Sequence, residues 1–194
     1  MYIFWDNSNI HFSGVNYACP KFEPTVDTIL YRTCFKNLFI LAQHHRIINK
    51  AFVAGSVPPQ GDDLWEYIRN LGIDLTLLDR TATGKEQESV DILLQNAMLH
   101  TILDNTPDTI AIITGDGAGF NEGKGFLAEL DRAKKLGWKI EVYSWEGTCN
   151  RYLKEYSKNN GSFISLDDYY YSISFIKRDI YGTHPGRFAS PLSI

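Results

Sequence analysis

The chain has 194 residues, of which 44% are hydrophobic and 22% charged, a composition typical of a globular protein with a full core. No stretch is long and apolar enough to suggest a membrane span, and residues 1–5 lack the basic flank of a secretory signal, so we expect a strand there and no membrane partner. Three cysteines, an odd number far apart in the sequence, predict free thiols in a reducing compartment, and the cytoplasm is the expected location.

The net charge of −4 is unevenly distributed along the chain. Residues 1–120 hold 8 Lys and Arg against 14 Asp and Glu, whereas residues 121–194 hold 11 against 9. An acidic half that can hold cations, next to a mildly basic half, is compatible with a substrate that carries phosphates. A solvated surface of mixed charge explains the same counts equally well.

Predicted strands and helices alternate along the chain. Short apolar runs between turn residues predict strands at 2–5, 47–54, 73–78, 110–113 and 138–144, with a short edge strand at 163–165. Helical spacing of apolar residues predicts helices at 26–43, 62–71, from the 85–91 segment to 103, at 126–136 and 148–157, and a last turn or helix within 166–178. Residues 14–24 are predicted as a loop and the tail from 182 as irregular chain. This alternation is typical of βαβ units, hence of a parallel sheet covered on both faces.

Two of the predicted strands end in a carboxylate. The strand at 110–113 leads into Thr114-Gly115-Asp116-Gly117, where two glycines permit a sharp turn and the close approach of a ligand. The first strand ends in Asp6-Asn7-Ser8-Asn9. Because ligands of open α/β sheets bind at the carboxyl ends of strands, neighbouring strands would bring Asp6 and Asp116 together. The alternative for a lone Gly-Asp-Gly turn is an aspartate that only bonds local backbone N–H groups.

Asp91, near the start of the long predicted helix, is a third candidate carboxylate. We expect the three aspartates to lie close enough to share one cation. Clustered carboxylates repel one another, so such a cluster is stable only if protons or cations neutralise it. Oxygen ligands without His or Cys suit Mg²⁺ or Mn²⁺ better than zinc. For phosphodiester hydrolysis such an ion would orient a water molecule as the nucleophile. The glycine-rich loops of dinucleotide and P-loop sites are absent.

Five motifs in a fixed order carry a resemblance to a known family. They are Asp6-Asn7-Ser8-Asn9, Gly55-Ser56-Val57-Pro58-Pro59, Gly84-Lys85-Glu86-Gln87 with Val90-Asp91, Thr114-Gly115-Asp116-Gly117, and residues 137–145. In this order they resemble the NYN domain of the PIN-like nuclease superfamily over residues 1–170. The resemblance implies an α/β three-layer sandwich with a mainly parallel sheet of order 3-2-1-4-5. Residues 171–194 would form a C-terminal extension packed on this domain.

The resemblance also implies a metal-dependent ribonuclease site for RNA. Its catalytic and metal-binding carboxylates would be Asp6, Asp91 and Asp116, with Asn9 and Thr114 as polar neighbours and Mg²⁺ or Mn²⁺ as the cofactor. Many relatives carry a further aspartate two positions after the one matching Asp116, where this chain has Ala118. Glu122 is the candidate replacement ligand, and a residue that caps the next helix is an equally good explanation of it.

Further residues are candidates for contact with the substrate. Ser56, Lys85, Lys124 and Arg151 are the candidate substrate-binding residues beside Asn9 and Thr114, and solvated side chains are the alternative for the basic ones. Trp65 is a candidate for base stacking, whereas Trp138 and Trp145 are predicted core residues. The run Tyr169-Tyr170-Tyr171 either packs the C-terminal segment down or makes a contact in a homo-oligomer.

The leading hypothesis is a Mg²⁺- or Mn²⁺-dependent endoribonuclease. The alternative is a catalytically weak or inactive NYN-type RNA-binding or adaptor module, for which Ala118 is the best argument. A phosphatase that forms an aspartyl-phosphate is disfavoured. Such an enzyme needs a second carboxylate two residues after the nucleophilic aspartate, and two residues after Asp6 this chain has Ser8.

Overall fold

The computed structural model describes residues 1–54, 63–70, 74–78, 86–117, 123–179, 182 and 184–194. Within these ranges the strands are β1 (Tyr2–Asp6), β2 (Tyr31–Thr33), β3 (Lys50–Ala54), β4 (Asp74–Leu78), β5 (Thr109–Ile113), β6 (Lys139–Ser144), β7 (Ser162–Ser165) and β8 (Ser174–Ile176). The α-helices are α1 (Asn7–Ser13), α2 (Cys19–Phe22), α3 (Phe35–Gln43), α4 (Asp63–Asn70), α5 (Glu86–Asp104), α6 (Gly125–Lys135), α7 (Arg151–Asn160) and α8 (Tyr170–Ile173).

The main sheet has the strand order β4-β3-β1-β5-β6-β7, and each pair of neighbouring strands in it is parallel. Strands β2 and β8 form a separate antiparallel pair. The predicted order 3-2-1-4-5 differs from this numbering, because β2 was not predicted and shifts the later numbers, and because β7 adds a sixth strand. The five segments predicted as strands do lie beside one another in the predicted succession.

Alternate residues of β1 face two separate apolar cores. Ile3 and Trp5 belong to the first core, with α1, α3, α4 and α8, and Tyr2 and Phe4 belong to the second, with α5, α6 and α7. This alternation follows from the two-residue period of a strand, and both faces are covered because every neighbouring strand is parallel. The predicted α/β architecture with helices on both faces of a mainly parallel sheet is confirmed.

The N-terminal third departs most from the prediction. The predicted loop at 14–24 contains a π-helical turn, Gly14–Ala18, followed by α2. The predicted helix at 26–43 is instead a 3₁₀ turn, Thr28–Leu30, then β2 and α3. Tyr31 and Thr33 are buried while Arg32 between them is not, because the antiparallel pairing with β8 imposes a period of two on this segment.

Two residues near the C-terminus, Tyr170 and Arg187, contact the N-terminal part of the chain. Tyr170 is 1% exposed and stacks on Phe22 with ring centroids 4.6 Å apart, so this tyrosine packs the segment down. The Arg187 guanidinium donates to both carboxylate oxygens of Glu23, at 3.0 and 3.1 Å. The predicted division at residue 170 stays a prediction.

Two properties expected from composition can be compared with the described structure. Cys19, Cys34 and Cys149 are free thiols, as predicted. Among the helices described here, none combines the length and the apolar character that a bilayer crossing requires.

Candidate active site

Asp6 is the last residue of β1 and only 5% exposed. Its Oδ1 accepts a hydrogen bond from the Asn9 backbone N–H at 3.0 Å, so Asp6 is the N-cap of α1. The polar run after the first strand is therefore the start of a helix, since aspartate is among the preferred N-cap residues. The other carboxylate oxygen, Oδ2, accepts a hydrogen bond from Thr114.

Thr114 connects Asp6 to the turn that carries Asp116. The parallel register of β1 and β5 aligns Trp5 with Ile113, which places Thr114 beside Asp6. The buried Thr114 hydroxyl donates to Asp6 Oδ2 at 3.3 Å and accepts from the Asp116 backbone N–H at 3.2 Å. The two carboxylate-bearing turns predicted to converge are thus neighbours joined by one hydroxyl.

The peptide group of Gly115 is held from two sides. Its N–H donates to Asn9 Oδ1 at 2.8 Å, and its carbonyl accepts from the Asn150 backbone N–H at 2.8 Å. Asn9 belongs to α1 and Asn150 precedes α7, so elements from both ends of the chain fix the turn before Asp116.

Gly117 lies against the start of α7. A Cβ at Gly117 would stand 2.9 Å from both Asn150 Oδ1 and Leu153 Cβ, closer than packed side chains allow. Asn150 Oδ1 also accepts the Tyr152 backbone N–H at 2.9 Å and caps α7. Sequence reasoning missed Asn150, although an asparagine before a helical repeat is an N-cap signal, because the predicted helix starts at residue 148, three residues too early.

Asp91 reaches the same edge from α5. It stands three residues before Leu94, at the head of the buried stripe Leu94, Met98 and Ile102 that packs on the sheet. Burial, together with the nearby charges of Asp6 and Asp116, raises the pKa of Asp91 to about 7. The three aspartates therefore feel one another electrostatically.

The raised pKa of Asp91 predicts a pH dependence of stability. The folded protein keeps the Asp91 proton up to about pH 7, whereas the ordinary pKa of an Asp side chain is 3.8, so the free energy of unfolding falls as the pH rises between these values. Because the side chain is only partly buried, we expect Asp91→Asn to stabilise the metal-free protein by only about 1 kcal/mol at about pH 8, and less at about pH 4. Urea unfolding in chelator at both pH values measures this, and equal effects at the two would contradict it.

The donor set suits a hard cation, but the carboxylates do not form a closed cage. Within the described ranges no three Asp, Glu, His or Cys side chains stand close enough to hold one metal ion. The role of Asp6, Asp91 and Asp116 as ligands of one shared cation stays a prediction, and the Asp6 carboxylate accepts hydrogen bonds from Asn9 and Thr114. Mg²⁺ is commonly held by one or two carboxylates together with water and substrate phosphates, so the oxygen donors present still fit it.

The other predicted residues are placed as follows. Lys124 precedes α6 and Arg151 begins α7, and both are exposed. Trp138 and Trp145 are buried, as predicted, and Trp65 is partly buried on α4. Ser56, Lys85, Ala118 and Glu122 lie outside the described residues.

Gln95 is a second residue near the site that sequence reasoning missed. Its Oε1 accepts the Gly125 backbone N–H at 3.1 Å, one helical turn after Asp91 on α5. The same face of α5 thus carries Asp91 at the acidic edge and fixes the start of α6. A polar residue four positions after a carboxylate on a predicted helix was the available signal.

An α/β sandwich with aspartates at the carboxyl ends of its two central strands has the architecture of PIN-like nucleases. The family model of the NYN domain matches residues 1–172, and the chain belongs to the NYN domain family. This confirms the resemblance found in the sequence motifs. Because the NYN domain is part of the PIN-like nuclease superfamily, membership supports a nuclease kind of activity with an RNA-related role.

One solved structure has a similar fold. A protein of unknown function from Vibrio parahaemolyticus RIMD 2210633 superposes with a TM-score of 0.57, covering 86% of this chain and 92% of that one. At 16% sequence identity the similarity shows a shared fold alone. No curated protein matches the sequence.

Proposed function

We propose that the protein is a Mg²⁺- or Mn²⁺-dependent endoribonuclease. The observation that carries the proposal is the link through the Thr114 hydroxyl between Asp6, at the end of β1, and the Asp116 turn after the neighbouring β5. Asp91 of α5 faces the same edge, and the charges of Asp6 and Asp116 help to raise its pKa. Like charges placed at one edge of a sheet are stable only with a proton or a cation among them. Membership of a nuclease superfamily supports the same activity.

In this proposal Asp6, Asp91 and Asp116 are the residues that hold the cation. The ion, when bound, would orient a water molecule for attack on the phosphodiester and stabilise the developing charge. Thr114 keeps Asp6 and the Asp116 turn in register, and Asn9 fixes the turn through Gly115.

RNA is the proposed partner, and the basic candidates would contact its phosphates. Lys124 and Arg151 are both exposed at the starts of helices that follow the acidic edge. Ser56 and Lys85 are proposed substrate contacts, and Glu122 is proposed as the further ligand that Ala118 leaves open.

The alternative function is an NYN-type RNA-binding or adaptor module with weak or no activity. It is favoured by Ala118 in the sequence and by the lack of a three-carboxylate cage among the residues that the structure describes. Such a module would bind RNA through the same basic residues without cutting it.

Metal-dependent cleavage separates the two functions. We expect the purified protein to cut end-labelled single-stranded RNA with Mn²⁺ or Mg²⁺ and to stop in excess chelator, because the ion activates the water. Cleavage is followed on denaturing gels, and restoring the metal after chelation should restore it. RNA binding of ordinary affinity without cleavage under both metals would favour the adaptor, and loss of activity in Glu122→Gln would place Glu122 in the site.

A further inference from the structure

The first turn of α7 lies directly against the turn that carries Asp116. The Asn150 backbone N–H donates to the Gly115 carbonyl, and Asn150 Oδ1 accepts the Tyr152 backbone N–H. Leu153 is fully buried beside Gly117. Asn150 therefore contacts both the Asp116 turn and the backbone of Tyr152.

Tyr152 presents an exposed aromatic ring at this place. Tyr152 is 58% exposed, and the Arg151 guanidinium carbon lies 5.0 Å from its ring centroid. Arg151 also donates to the Tyr152 hydroxyl at 3.4 Å and pairs with Glu155 at 3.8 Å. A cation–π contact of this kind orients the ring while leaving most of it open to solvent.

The direction of Tyr152 follows from the next turn of the helix. Tyr156, four residues later on the same side of α7, donates to Asp131 of α6 at 3.3 Å. Tyr152 thus stands on the side of α7 turned towards α6, whose start carries the exposed Lys124. The exposed Tyr152 ring, with Arg151 against it, thus lies at the start of the helix that holds the Asp116 turn.

We propose that Tyr152 stacks an unpaired base of the RNA beside the cleaved phosphate, with Arg151 contacting a neighbouring phosphate, so that the site selects single-stranded over double-stranded RNA. The inference rests on the proposed function. Stacking on an aromatic side chain is available to any unpaired base and needs no particular sequence. A base in an A-form duplex is already paired and stacked, so it cannot use this ring.

The test measures binding apart from cleavage. Asp116→Asn protein in chelator is titrated against a fluorescent single strand about 12 nucleotides long, within the site sizes of single-strand-binding folds, and against the same strand annealed to its complement. We expect Tyr152→Ala to weaken single-strand binding about tenfold, with duplex binding unchanged, and Tyr152→Phe to keep the affinity.

Salt dependence separates stacking from charge. Arg151→Gln should lower the slope of log affinity against log salt by about 0.7 for the single strand, because one phosphate contact is lost. Tyr152→Ala should leave that slope unchanged. The matched control is Tyr171→Ala, since Tyr171 is also an exposed tyrosine, 47% exposed, with an arginine 5.2 Å from its ring centroid, but lies in the C-terminal segment. Its removal should not change RNA affinity.

Each outcome decides the inference. Single-strand affinity that survives Tyr152→Ala, equal losses for single strand and duplex, or the absence of RNA binding would overturn it. If wild-type protein binds single strands through Tyr152 but cuts no RNA with either metal, the inference stands and the nuclease fails. If it cuts RNA and Tyr152→Ala cuts and binds equally well, the nuclease stands and the inference fails.

Discussion

Asp116→Asn is expected to lower the rate of RNA cleavage with Mn²⁺ on the order of a thousandfold or more, while the metal-free protein keeps its stability or gains some. In the proposal the carboxylate holds the ion, and without metal its charge opposes that of Asp91, whose pKa is raised in part by Asp116. Asp6→Asn should lower cleavage similarly, because it also removes a carboxylate that holds the ion. The variant should still fold, since asparagine caps a helix as well as aspartate does. Single-turnover cleavage assays and thermal unfolding in chelator measure the two effects.

Asp104→Asn is the matched control for these variants. Asp104 ends α5, and its side chain is 71% exposed and pairs with His100 one turn earlier, far along the helix from Asp91. It loses the same charge without touching the site, so its cleavage rate should equal that of the wild type. A large destabilisation of metal-free Asp116→Asn would instead identify a structural aspartate, and the catalytic proposal would then lose its central residue.

Gly117→Ala is expected to reduce cleavage about a hundredfold. The added methyl would lie 2.8 Å from Asn150 Cγ and 2.9 Å from Leu153 Cβ, so either α7 or the Asp116 turn must move. A displacement of about 1 Å at a catalytic group is enough for a loss of this size. The effect should appear in kcat with little change in RNA affinity, as measured by initial rates over a range of RNA concentrations.

Gly182→Ala is the control that tests whether replacing any glycine by alanine lowers the rate of RNA cleavage. Gly182 has a φ of +72°, yet nothing lies within 4 Å of a Cβ built there. It should lose about 1 kcal/mol of stability through its backbone conformation and no activity. If Gly117→Ala cleaves RNA at the wild-type rate, the turn tolerates displacement, and the close packing of Gly117 against Asn150 is not needed for catalysis.

The central sheet was predictable because its strands are buried on both faces. Runs such as residues 110–113 are apolar throughout, a pattern typical of a strand that is covered on both faces. The proximity of Asp6 and Asp116 was predicted on the condition that their strands are neighbours, and the pairing of β1 with β5 meets that condition. The strands themselves are predictable from local composition, whereas their order in the sheet is not.

The segments that were mispredicted depend on distant partners. The apolar spacing of Leu30, Cys34 and Leu38 favours a helix, but pairing of Tyr31 and Thr33 with β8, more than 140 residues away, imposes a strand. Asn150 likewise acts through Gly115, which is remote in sequence. A single sequence gives propensities, whereas these contacts depend on which distant segments meet.

Gly115 is hydrogen-bonded through both its N–H and its carbonyl, and this determines when the site can form during synthesis of the chain. Its amide is bonded by Asn9, an early residue, and its carbonyl by Asn150, a late one. Because domains form from the N-terminus during synthesis, Asp6, Asp91 and Asp116 all leave the ribosome before the residue that completes their turn. A growing chain therefore carries the three aspartates before Asn150 can donate to the Gly115 carbonyl, and the turn of the proposed cutting site receives its second hydrogen bond only after residue 150 has been synthesised.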